Sequence, residues 1–142
     1  MKLTGHPVSV EALLEGAKGY LSALGTLAEH PTKQLVEPIG LLASQAVELA
    51  LKAVLLHGGW TEHQLITKIG HDLKKAWEEA KKTGLEIDWE HRFSVEVLSL
   101  SHNSPYLFRY PREKIGAAIT EPEVLCNDVK AVIDAAERHV AN

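Results

Sequence analysis

The stretch from Ile39 to Leu56, IGLLASQAVELALKAVLL, is apolar almost all the way round a helical wheel. A helix without a polar face is stable in water only if other elements cover it, so this one is expected at the centre of the fold. Its few polar residues are therefore the constraint. With successive residues about 100° apart, Ser44, Gln45, Glu48 and Lys52 fall within one arc, and Leu41, Leu55 and Leu56 lie on the same face. Glu48 and Lys52 are spaced i,i+4 in the favourable order and are expected to pair with each other. The same stripe is expected to meet His71 and Asp72 at the start of a following helix. Such a Glu48–Lys52–His71–Asp72 network is either a buried structural tie or the floor of a ligand groove, and both readings stand at this stage.

The rest of the chain reads as helices that can cover this one. Ser9 is a cap for a helix to about Glu29, with Leu13, Ala17, Leu21, Leu24 and Ala28 on one stripe. A second stripe on it is built of small residues, Ala12, Gly16, Gly19 and Ala23, which lets another helix approach closely. Packing within the bundle is expected there ahead of a contact with a second copy. Pro38 suits the first turn of the central helix, and Gly58 and Gly59 end it. Thr61 and Gln64 have capping-box spacing for a short helix through about Ile69. Gly70 breaks it before a helix over 71–83 that Gly84 stops. A fourth helix is expected from Asp88 to about His102. Residues 103–120 read as a long loop, and Thr120, Pro122 and Glu123 announce a last helix whose core face is Leu125, Val129, Val132, Ala136 and Val140. The expectation is an all-α chain, an up-and-down antiparallel helical bundle of four to six helices, in one domain over residues 1–142.

Charge and cysteine content bound the function. A net charge of -4 argues against broad electrostatic binding to nucleic acid but leaves room for a local basic patch. The single Cys126 fits a reducing compartment, and Met1 is followed by no charged and then apolar leader, so a cytoplasmic location is expected. Glu48 and Lys52 interrupt the best candidate for a membrane span, and no membrane association is expected.

A long apolar helix reading ASQAVELALKAVLLHGG, followed by GHDLKKAWEEA in an all-helical chain, resembles the HEPN superfamily, the higher eukaryotes and prokaryotes nucleotide-binding domains. There a central helix with a polar Glu/Lys pattern is followed by a His-Asp-Leu segment, here His71, Asp72 and Leu73. The resemblance implies a four- or five-helix bundle, commonly a homodimer, of the kind found in toxin–antitoxin, phage-defence and RNA-processing systems. Many members are metal-independent ribonucleases whose signature is an Arg followed after roughly four to six residues by a His. This sequence departs from that pattern. Arg92 lies ten positions before His102, Arg109 and Arg112 have no His after them until His139, and Arg138 directly adjoins His139. On one continuous helix Arg92 and His102 would stand about 15 Å apart along the axis. The departure favours a non-catalytic binding or regulatory module, with a nucleotide, RNA or partner protein as ligand.

The best local nucleic-acid signal is the 106–114 segment, where Tyr106, Phe108 and Tyr110 alternate with Arg109, Arg112 and Lys114, aromatic faces for bases beside cations for phosphates. The competing reading is a loop whose aromatics pack on the bundle. His102 with Arg109 gives the family's pair in reverse order, and His102 with Arg92 could be joined only across a dimer. These keep a rewired metal-independent ribonuclease as the alternative. Neither a metal nor a cofactor is expected. Asp88 and His91 are spaced i,i+3, but His91 and His102 would lie about 16 Å apart, and there is no Cys pair, HExxH or glycine-rich phosphate loop.

Overall fold

The computed structural model describes residues 7–30, 36–88 and 121–142, and five α-helices lie among these described residues. These are α1 (Val10–Ala28), α2 (Val36–His57), α3 (Glu62–Gln64), α4 (Leu73–Lys82) and α5 (Pro122–Ala141). A turn of π-helix, Leu65–Ile69, continues α3. The fold is all-α and a helical bundle. The expected helix after Asp88 and the 103–120 loop lie outside the described residues.

The central apolar run is α2, and it packs against α1, α4, α5 and the π turn. Ala43, Ala46, Val47, Leu51 and Val54 are buried to within 1%. By composition Glu37–His57 is apolar enough to cross a bilayer, yet 67% of its most apolar window is buried against the other helices. Gly16 stands twelve residues before the end of α1, and a Cβ on it would be 3.0 Å from Leu49 Cδ1, thirteen residues after the start of α2. This near-equal register is what an antiparallel hairpin requires. At the far end of α2, His57 meets His139 of α5, and the space beside Gly58 is closed by Thr83 at the end of α4. Helices α2, α4 and α5 therefore run together, α1 runs against them, and α3 with the π turn is the return from α2 to α4. Lys18 of α1 reaches Glu137 of α5 at 3.0 Å, and that hydrogen bond and charge hold the Lys18 ammonium above its ordinary pKa.

The helix ends follow local chemistry. Ser9 Oγ accepts from Ala12 N at 3.0 Å. Thr61 and Gln64 form the reciprocal capping box, each side chain accepting from the other's backbone N–H. Helix α2 closes with Trp60 N–H donating to Leu55 O and Gly59 N–H to Leu56 O, and α4 with Leu85 N–H to Ala80 O and Gly84 N–H to Lys81 O. Both are Schellman motifs, which need a residue at positive φ; Gly59 at 103° and Gly84 at 101° supply it.

Four expectations are corrected. The last helix is capped at Glu121, without a side-chain hydrogen bond, so that Pro122 takes the first helical position where its fixed φ fits. The segment to Ile69 widens into a π turn, with Gly70 N–H donating to Leu65 O. Helix α4 starts at Leu73, leaving His71 outside it. In α1 Leu14 is buried with Ala17 and Leu24, while Leu13 and Leu21 are only partly covered.

Two glycine substitutions separate these roles. Gly84→Ala forces a Cβ onto a left-handed backbone and is expected to lower stability by about 1–2 kcal/mol. Gly25→Ala, in the last turns of α1 where nothing lies within 4 Å of the new methyl, is expected to raise it by up to about 1 kcal/mol. Thermal melts of the two variants check both signs.

Candidate functional site

A carboxylate in a bundle core must be paired and hydrogen-bonded, because an isolated buried charge costs far more than a helix can supply. Glu48 is 4% exposed, on the covered side of α2. Its Oε2 accepts from Lys52 Nζ at 3.1 Å, one turn along the same helix. Its Oε1 lies 2.9 Å from His71 Nδ1, brought from the other end of the return. The helical pairing and the contact across elements are thus both present. A carboxylate only accepts, so the geometry assigns the proton of this contact to Nδ1.

What delivers His71 is the break before α4. The π turn ends at Ile69, and Gly70 adopts φ 57° and ψ -119°, a combination reserved in practice for glycine. Asp72 then caps α4, its Oδ1 accepting from Lys75 N at 3.1 Å. This places Asp72 beside the Glu48 cluster as the cap that fixes the direction of the following helix. Ser44, one turn before Glu48 on the same stripe, is fully buried, and among the described residues its hydroxyl has no hydrogen-bond partner. Gln45 is half-buried on the neighbouring position.

Exposure gives the cluster its chemistry. The Glu48 side chain is 5% exposed, Lys52 13% and His71 41%. The negative group is therefore innermost, and the two groups that can carry positive charge stand between it and solvent. Lys68, Lys74 and Lys75 are exposed around the same break. A ligand approaching this entrance meets donors and cations, with the carboxylate as their buried counter-charge. Phosphate oxygens suit such a surface. Arg92, His102, Tyr106, Arg109, Tyr110 and Arg112 lie outside the described residues.

Cys126 is disfavoured as a nucleophile. It is half-buried on α5, and burial, with a smaller contribution from the Glu123 carboxylate, pushes its thiol pKa up. Among the described residues no three His, Cys, Asp or Glu side chains come together as a metal cage. One contact had no signature in the sequence: His57 and His139, on different helices, stand ring against ring. Their spacing along the chain carries no periodic signal, and only the parallel course of α2 and α5 joins them.

Compared with known proteins, residues 10–139 match the family model described as HEPN domain. No curated protein and no solved structure gives a significant match.

Two outcomes follow from the geometry. Glu48→Ala leaves Lys52 inside without its partner and should cost about 3 kcal/mol or more, whereas a Glu48→Leu/Lys52→Leu double variant, which removes both charges, should recover most of the loss in urea unfolding. Because burial disfavours the Cys126 thiolate, its labelling by a disulfide reagent should be slower than that of a free cysteine at the same pH, and its rise with pH should be displaced upward from that of the free thiol; stopped-flow absorbance gives the profile.

Proposed function

The chain belongs to the HEPN family, and we propose that it is a non-catalytic binding module whose ligand is a nucleotide or the phosphate backbone of an RNA. The observation that carries this reading is the layered charge of the α2–α4 entrance. Buried Glu48 holds Lys52 and His71 in place, and of the three His71 is the one that reaches solvent, with Lys52 largely covered beneath it. Donors fixed in advance bind an anion with less ordering cost than free lysines. The absence of any Arg with a His four to six residues after it supports the non-catalytic half of the reading. In this proposal the aromatic and basic residues of the 106–114 segment, Tyr106, Arg109, Tyr110 and Arg112, extend the same ligand contact by stacking on bases and pairing with phosphates.

The protein is proposed to act as a cytoplasmic homodimer in a toxin–antitoxin or phage-defence setting. Support for a second copy comes from α1, where Gly19 and Ala23 are exposed and a Cβ on Gly19 would meet nothing within 4 Å. A partner protein is the other ligand such a module takes.

The test is a pair of assays on the purified protein. RNA incubated in EDTA is expected to remain intact, with the wild type and His102→Ala indistinguishable. Fluorescent oligonucleotide binding is expected to weaken about tenfold in His71→Ala, the loss of one charge-assisted hydrogen bond. Cleavage that resists the chelator and disappears with His102→Ala would replace this reading by a metal-independent ribonuclease built on His102 with Arg109 or Arg92.

A further inference from the structure

The C-terminal ends of three helices converge at the opposite end of α2 from its start. His57 closes α2, Thr83 and Gly84 close α4, and Arg138, His139 and Asn142 close α5. Together with Gly58, Glu86 and Ala135 they line a cavity of about 560 Å³. Each helix end carries the equivalent of about half a negative charge, so their convergence favours a cation. The Glu86 carboxylate on the same wall adds to it, and the Arg138 guanidinium opposes it.

Two imidazoles occupy this place. The His57 and His139 ring centroids are 5.9 Å apart with the planes at 77°. Among the described residues neither ring nitrogen makes a hydrogen bond, and their contact is with each other. His57 is exposed and His139 half-buried, so the outer ring can turn without disturbing the core. A metal–nitrogen bond of about 2.0–2.1 Å places an ion about 3.2 Å from each ring centroid, so two rings on one ion sit within about 6.4 Å of each other. The observed separation falls inside that limit, so turning the exposed His57 ring is the movement that would bring a nitrogen of each ring toward one ion. Gly84 leaves the approach open, since even a Cβ there would stand 3.9 Å from His139 Cε1.

We propose that His57 and His139 form a binding site for a borderline transition-metal ion, Zn²⁺ or Ni²⁺, at the joined ends of α2 and α5. Imidazole selects these ions over Mg²⁺ and Ca²⁺, which require oxygen cages. With two protein nitrogens and water in the remaining positions, the site is open and exchangeable, distinct from a closed structural zinc. Glu86 acts from the cavity wall on the ion's charge. An ion held there ties the ends of two core helices together, far along α2 from the Glu48 entrance.

The experiment is isothermal titration of tag-free, chelator-treated full-length protein with ZnCl₂ and with NiCl₂, beside a parallel titration with inorganic phosphate. One ion per chain is expected, weakened at least tenfold by His57→Ala and by His139→Ala, and unchanged by His63→Ala. Nitrogen-15 spectra of the wild type supply a readout that needs no variant: both imidazoles are expected to shift together at one equivalent of metal. Three results would each overturn the proposal: no saturable metal binding, binding that survives a His57→Ala/His139→Ala double variant, or phosphate taken up by the His pair in place of the metal.

Discussion

Everything near the middle of this bundle answers to one buried charge. Helix α2 is the core of the protein, and Glu48 sits on it where a carboxylate has almost no access to water. One neighbour on the same helix, Lys52, neutralises the charge but leaves the second oxygen unsatisfied. The second oxygen takes His71, and His71 can reach it only if the chain turns back from the end of α2 and stops short of starting α4. The π turn, the glycine at 70 and the Asp72 cap are the local devices that meet this requirement. A single polar position in an apolar helix thereby fixes where the next helix begins.

The same arrangement divides the molecule into two chemically different places. Midway along α2 the buried group is negative and the groups toward solvent are basic, which suits an anion. At the ends of α2, α4 and α5 the helix dipoles are negative and the side chains are imidazoles, which suits a metal cation. Both depend on the parallel course of α2, α4 and α5, since that course puts the start of α4 against Glu48 and the end of α5 against His57. Membership of the HEPN family accounts for the bundle, while the chain's Arg and His positions depart from the spacing associated with cleavage.

Much of this was legible in the residues because it is local. The reciprocal box of Thr61 and Gln64, the Ser9 cap, and the glycines that stop α2 and α4 each act within a few positions, and each formed as its spacing implies. The Glu48–Lys52 pair is legible for the same reason. Elsewhere two local signals compete in adjacent registers. At the start of α5 the Thr120–Glu123 spacing predicts one cap, and Pro122 in first place selects the next residue, Glu121. The π turn has no compositional mark, because it differs from an α turn only by one residue in its hydrogen bond. The placement of His71 outside α4 follows from it and was equally hidden. The His57–His139 contact is set by how whole helices lie side by side, which no short spacing encodes.

The central claim is that Glu48 holds His71 by its Nδ1 proton so that Nε2 points outward, where as an imidazolium it donates to a phosphate-bearing ligand. The most direct measurement is a long-range nitrogen–proton spectrum of the histidine rings, recorded while a short RNA oligonucleotide is titrated into the protein. Free His71 is predicted to show a proton on Nδ1, and with added RNA its ring resonances are predicted to move saturably to a form protonated on both nitrogens. RNA binding that leaves the His71 resonances in place would contradict it, because the ligand would then be held without the entrance that the buried carboxylate builds.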